Sequence, residues 1–239
     1  VEFNLIAKGG INIIMGSFAI FFIFLIVWIF YRNSFMMLAV IIVGVFFLFN
    51  LYFFRDPNRA TPEDPRAIIS SGDGKVVQIV EEFEPNYFHD RVWRVSIFLS
   101  VFDVHVNRIP ISGTVNYIRF MPGKYLLAFK EKASLENEQT AIGITSESGY
   151  RVMFKQIAGI IARRIVCGLV EGQTVKAGDR MGLIRYGSRV DMLFPLSAKV
   201  LVDEGQKVFG GETIIATFSE DNPKTFQEVE IDEVPELAG

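Results

Sequence analysis

Ser188 follows Gly187 in the run LIRYGSRVDMLFP, and the pair can do chemistry on its own peptide bond. A serine hydroxyl beside the carbonyl of the preceding residue attacks it when a base takes the proton and donors hold the oxyanion. The amide then becomes an ester. Loss of the Ser188 α-proton expels the ester carboxylate, and the dehydroalanine left behind hydrolyses to a pyruvoyl group. Glycine at 187 suits this, because it enters strained turns and leaves its carbonyl unshielded. A Gly-Ser dipeptide alone fits an ordinary turn serine equally well.

A base is at hand in FDVHVNRIP, residues 102–110. A neutral histidine can take a proton near physiological pH, and a carboxylate can fix its tautomer, so His105 is the candidate. Strand alternation predicts Asp103 and His105 on one face, with Val104 and Val106 opposite. Asp73, between glycines in SSGDGKV, reads as a tight-turn aspartate or as a buried carboxylate near that histidine. Asp103 competes for the same role. His89 lies in the polar turn PNYFHDR and reads as surface.

Other chemistries fail on residue counts. Two histidines and the single Cys167 leave no zinc constellation, so no metal is expected. Phosphate loops at Gly74-Lys75 or Gly123-Lys124 would need glycine where Ile69 and Ile118 stand, and a hydrolase elbow would need glycine at Tyr186. A net charge of −3 offers no footprint for nucleic acid. The lone cysteine excludes an intrachain disulfide and fits a reducing compartment.

Positioning these residues falls to two kinds of element. No charge occurs from Gly9 to Tyr31 or from Asn33 to Phe54, which predicts a membrane hairpin over 1–54 with spans near 11–31 and 35–54. Lys8 precedes the first span, Arg55, Arg59 and Arg66 follow the second, and the turn holds Arg32 alone. That bias puts both termini on the cytoplasmic side of the cell membrane. The proline- and charge-rich run 55–67 reads as a linker, and 219–239 as an acidic, solvated tail. Between them, 68–218 is of single-domain size. KVVQIV, RVWRVSIFL, GTVNYIRF, YLLAFK, TAIGIT and YRVMFKQIAG are β-branched and aromatic runs, whereas GIIARRIV at 159–166 suits a short helix or a strand. The expected class is mainly β (α+β).

VEGQTVKAGDRMGLI at 170–184 echoes VDEGQKVFGGETII at 202–215. Paired hairpins of this sort resemble the sandwich-hybrid element of lipoyl and biotinyl carrier domains. Gly187-Ser188 falls between the copies, near the place where such a module presents its lysine, and no lysine stands there.

IISSGDGKV, SIFLSVFDVHVNRIPISGTV, ENEQ at 136–139 and RYGSRVDMLFP, in this order, resemble the phosphatidylserine decarboxylase family in its short, membrane-bound form. The resemblance implies self-cleavage between Gly187 and Ser188. Residues 1–187 would form the larger chain and 188–239 the smaller, held together as a heterodimer, with further dimerisation left open. It implies a pyruvoyl cofactor made from Ser188, a processing triad of Asp73, His105 and Ser188, and decarboxylation of phosphatidylserine to phosphatidylethanolamine through a Schiff base. Long-form relatives carry a second histidine where Arg108 stands here. His105 would then serve both processing and protonation, or Arg108 would anchor substrate. Arg189 is a second candidate for the substrate carboxylate or phosphate. Two other readings remain: the same chemistry on an archaeal-type ether serine lipid, and a membrane-anchored carrier-like adaptor without catalysis.

Overall fold

The computed structural model describes residues 6–126, 133–159, 165–184 and 187–219. Two helices come first, α1 (Ile11–Tyr31) and α2 (Ser34–Phe53), joined by Arg32 and Asn33 alone. Arg32 reverses the chain in a left-handed conformation (φ 46°), and Asn33 Oδ1 caps α2 by accepting the Met36 N–H at 2.7 Å. Phe47 packs between Phe18 and Phe21, with ring centroids 5.5 and 6.1 Å away. Most other side chains point outward: Phe30 and Phe35 are 80% exposed, and only 6% of either span is buried. Twenty residues at ~1.5 Å each reach roughly 30 Å, the depth of a hydrocarbon core. Both helices are long and apolar enough to cross a membrane.

The rest is mainly β, as its alternating runs demand. In chain order it comprises β1 (Ala67–Ile69), β2 (Gly74–Glu84), β3 (Asp90–Leu99), β4 (Val106–Arg108), β5 (Gly113–Met121) and a short α3 (Ala133–Glu136). There follow β6 (Gln139–Thr145), β7 (Arg151–Ile157), β8 (Ile165–Cys167), β9 (Thr174–Val175), β10 (Arg180–Ile184) and β11 (Ser188–Pro195). Last come β12 (Lys199–Val200), β13 (Lys207–Val208) and β14 (Ile214–Thr217). An antiparallel sheet runs β13-β2-β3-β11-β7-β6-β5-β9, flanked by small sheets β1-β14-β12 and β4-β10-β8. β11 lies inside the large sheet, paired with β3 from Ser188↔Leu99 to Pro195↔Val92 and with β7 on its other edge. Val95, Ile97, Leu99, Phe154, Val190, Met192 and Phe194 supply the main core. Of the segments expected to be strands, YLLAFK falls largely outside the described residues. GIIARRIV contributes its last two residues to β8, and 160–164 lie outside the description.

The sequence echo is a duplication in three dimensions. Gly172 N–H bonds to the Val115 carbonyl and Gly205 N–H to the Val76 carbonyl, both at 2.7 Å, and both glycines have positive φ (83° and 89°). Glu171 and Glu204 each accept one backbone N–H, from Ile118 and Ile79, just beyond a bulge in β5 or β2. One step earlier, Ser112 Oγ accepts Ala177 N–H at 2.9 Å and Asp73 Oδ1 accepts Gly210 N–H at 2.8 Å. The repeating unit therefore includes the preceding turns, and Asp73 is the counterpart of Ser112.

Residues 55–66 are pinned to this scaffold. Asp56 bonds Arg108 at 3.0 Å and Arg180 at 2.5 Å, while Arg59 bonds Asp73 at 2.6 Å and Glu212 at 3.2 Å. The base of the helical hairpin docks beside it: Phe53, Phe54 and Ala7 pack with Val104, Val106 and Leu183. Gly10 lets the Phe54 ring approach, since a Cβ there would sit 2.2 Å from it.

Candidate active site

Ser188 opens β11 with its side chain fully buried, and its Oγ has no hydrogen-bond partner among the described residues. An unmatched buried hydroxyl costs stability, so it marks a place where packing alone does not explain the residue. Gly187 precedes it at φ 85°. A Cβ there would find room, its nearest neighbour being Val101 Cγ1 at 3.7 Å, so conformation rather than space calls for glycine.

His105 faces this bond. Its Nε2 accepts the Gly187 N–H at 3.1 Å, and its Nδ1 lies 3.0 Å from the Asp103 carbonyl oxygen. An imidazole that accepts at Nε2 must carry its proton at Nδ1, so Nδ1–H donates to Asp103 and the tautomer is fixed. Burial pushes the His105 pKa down to about 4, against the opposing pull of Asp103. The ring is therefore neutral at physiological pH, with its unprotonated Nε2 accepting the N–H at the Gly187-Ser188 segment.

Of the two carboxylates expected near it, Asp103 departs from the expected geometry and Asp73 is a buried turn carboxylate. Residues 101–105 form a turn, so Asp103 and His105 do not share a strand face. Asp103 folds back to accept Ser100 N–H and Oγ–H at 2.9 and 2.6 Å, and it orients His105 through its backbone carbonyl. Asp73 is buried, with its carboxylate engaged by Arg59 and Gly210 N–H. Burial pushes its pKa above the usual carboxylate range, although Arg59 opposes this. Its turn nonetheless abuts the histidine segment, because Ser71 carbonyl accepts the N–H of Arg108 at 2.9 Å.

Arg108 and Arg189 are both bonded within the protein. Arg108 reaches Asp56, the Pro57 carbonyl and the Gly178 carbonyl, at 2.8–3.0 Å. Arg189 points to the opposite sheet face from Ser188, where it meets Asp191 at 2.6 Å and Ser96 Oγ at 2.5 Å. Arg94 and Ser134 complete that buried network, which anchors the strand directly after the Gly-Ser bond.

Two features escape sequence inspection. The Phe53 ring, at the end of α2, lies 4.3 Å from the His105 ring, centroid to centroid, and both residues are buried. Gln156 donates to Asn107 Oδ1 at 2.9 Å, and on the Ser188 face of the sheet its Oε1 has no partner among the described residues. Both depend on contacts between segments far apart in sequence, and no local motif announces them. The orphaned Ser188 Oγ, the positive-φ glycine and the neutral imidazole fit a serine-derived pyruvoyl group.

Fold and site together define a mainly β protein built around a buried Gly-Ser bond faced by histidine, with an apolar helical hairpin at its N-terminus. Residues 46–216 match the family model described as phosphatidylserine decarboxylase. A protein of Syntrophus aciditrophicus named phosphatidylserine decarboxylase proenzyme is 47% identical over 171 residues, covering 72% of this chain and 80% of that one. A Wolbachia pipientis protein of the same name is 49% identical over 175 residues, covering 72% and 76%, and one of Salinibacter ruber is 45% identical over 181, covering 75% and 79%. The chain belongs to the phosphatidylserine decarboxylase family.

Proposed function

We propose that this chain is a proenzyme that cuts itself between Gly187 and Ser188 and then decarboxylates phosphatidylserine. The observation that carries this reading is His105 Nε2, aimed at Gly187 beside a buried Ser188 hydroxyl that has no partner among the described residues. Ser188 Oγ attacks the Gly187 carbonyl carbon as His105 Nε2 exchanges the Gly187 N–H for the hydroxyl and takes its proton. The C–N bond breaks, an ester joins Gly187 to Ser188 Oγ, and the Ser188 amine is freed. Loss of the Ser188 α-proton expels the Gly187 carboxylate. Hydrolysis of the remaining dehydroalanine releases ammonia and leaves the pyruvoyl terminus.

That group supplies a ketone for the substrate amine and a carbonyl sink for the electrons left by carbon dioxide. The protein residues do the rest. His105 holds a proton-accepting nitrogen at the site, Asp103 carbonyl fixes its tautomer, and Gln156 Oε1 offers a buried acceptor for a substrate or water N–H or O–H. Asp73 supports the turn against which the histidine segment packs. β11 is bonded on both edges, which supports the small chain remaining in the sheet after cleavage.

The helical hairpin crosses the cell membrane with both ends on the cytoplasmic side, where Lys8 and Arg55 stand at the domain end of the spans. The phospholipid then keeps its acyl chains in the bilayer while its head group reaches Ser188. The test is Ser188→Ala in the detergent-solubilised chain, with carbon dioxide release from carboxyl-labelled phosphatidylserine as readout. The variant is expected to stay uncut and inactive; a cleaved Ser188→Ala chain would overturn the processing site.

A further inference from the structure

Beyond the hairpin, the chain has a second apolar feature at the same level. Phe102 is 65% exposed at the tip of the turn that carries His105. Its carbonyl accepts two hydrogen bonds from the end of α2, from Tyr52 Oη at 3.1 Å and from the Arg55 guanidinium at 2.7 Å. Arg55 in turn stacks 3.9 Å over the Tyr52 ring. An aromatic ring and a cation closing an apolar span sit at the head-group layer, where both the ring and its polar tip are solvated appropriately. A residue bonded to that pair lies at the same depth. Lys207 flanks the turn, its Nζ 3.6 Å from Asp103 Oδ1 and 5.8 Å from the Phe209 ring, which is itself 40% exposed.

We propose that the turn Ser100–His105 is inserted into the head-group layer of the bilayer, with Phe102 as its apolar wedge and Lys207 facing anionic head groups. This rests on the reading of the hairpin as membrane-spanning. The exposed Phe102 ring gains by burial at the boundary between head groups and acyl chains. Lys207 pairs with Asp103 but its side chain stays exposed, and Arg55 adds a second cation, so the edge of the turn keeps a positive excess that matches acidic phospholipids. Insertion holds the His105 turn against the lipid, so a phospholipid head group reaches Gly187-Ser188 without its acyl chains leaving the membrane. It also gives the departure from strand geometry at 101–105 a purpose, since a continuous strand would hold Phe102 in the sheet.

The chain's single cysteine permits a direct test. In a Cys167→Ser background, a nitroxide label is placed at Phe102→Cys in nanodiscs containing phosphatidylserine. Two further sites calibrate it. Val45→Cys reports the middle of α2, where the side chain is 62% exposed. Phe83→Cys reports the far end of the sheet, since Phe83 pairs with Arg91, about 26 Å along β3 from Leu99 at ~3.3 Å per residue. Collisions with a water-soluble nickel chelate at Phe102→Cys are expected to be several-fold fewer than at Phe83→Cys, with oxygen collisions correspondingly raised. A water-like Phe102→Cys beside a lipid-embedded Val45→Cys would overturn the insertion and leave the hairpin intact. Water-like values at both would overturn the insertion together with the membrane reading. Phe102→Trp is the second variant, which keeps an aromatic ring at the tip. Its added emission should be quenched by lipids brominated near the head-group end of their chains, and unquenched emission would contradict the proposal.

Discussion

His105 enters the site with one lone pair to offer, because Nδ1–H is committed to the Asp103 carbonyl and burial keeps the ring neutral. A solvent-exposed histidine base loses activity below pH 6.5, whereas this one keeps its lone pair until about pH 4. The self-cleavage rate should therefore stay flat from pH 8 to pH 5, as followed by the appearance of the small chain; a midpoint near 6.5 would contradict the assigned environment. The same burial sets a stability trend. The unfolded chain takes up a proton near 6.5 and the folded one only near 4, so the contribution is full above 6.5 and is lost as pH falls towards 4. His105→Ala should slow or abolish cleavage. Gly187→Ala forces an L side chain into φ 85° and should cost about 1–2 kcal/mol, roughly tenfold in cleavage rate if the strain falls on the reactive turn.

Elements explain why the site is rigid and where sequence reading stops. Phe53 ends α2 and packs on His105, so the hairpin forms a wall of the site. Phe53→Ala should destabilise the protein by about 3–5 kcal/mol through the cavity it leaves. By admitting water to the imidazole, it should also move the pH midpoint of cleavage upward from about 4. Phe53→Leu should restore most of both, measured by thermal melting and by the same cleavage assay. On the opposite sheet face, Asp191→Ala leaves Arg189 buried without its carboxylate and should cost about 3–5 kcal/mol. The two apolar spans, the alternating strands and the EGQ echo are all legible in the sequence, because each is a local pattern of polarity or turn residues. The Asp103–His105 relation was not legible. Alternation assumes a strand, but Ser100 N–H and Oγ–H draw the Asp103 carboxylate into a turn. The extent of the duplication was equally hidden, since Asp73 and Ser112 share a backbone partner geometry and no side-chain type. Gly187 and Ser188 stood out in the sequence through their context, whereas Phe53 and Gln156 reach the site only through packing between distant segments.

At the scale of the whole molecule, the hairpin, the pinned segment 55–66 and the β scaffold are joined by bonds that converge on the histidine turn. Phe53, Tyr52 and Arg55 all touch residues 102–105, so the end of the apolar span and the reactive centre are a few residues apart in space. If the hairpin spans a bilayer as proposed, this arrangement suits a substrate whose acyl chains stay there. The proposed activity depends first on self-cleavage of the Gly187-Ser188 bond. Intact-protein mass spectrometry of the freshly purified, detergent-solubilised chain tests it most directly. Two chains meeting at Gly187 and Ser188 are expected, the smaller beginning with a pyruvoyl group in place of serine. A single uncut chain of full mass, from folded material with intact Ser188, would contradict it.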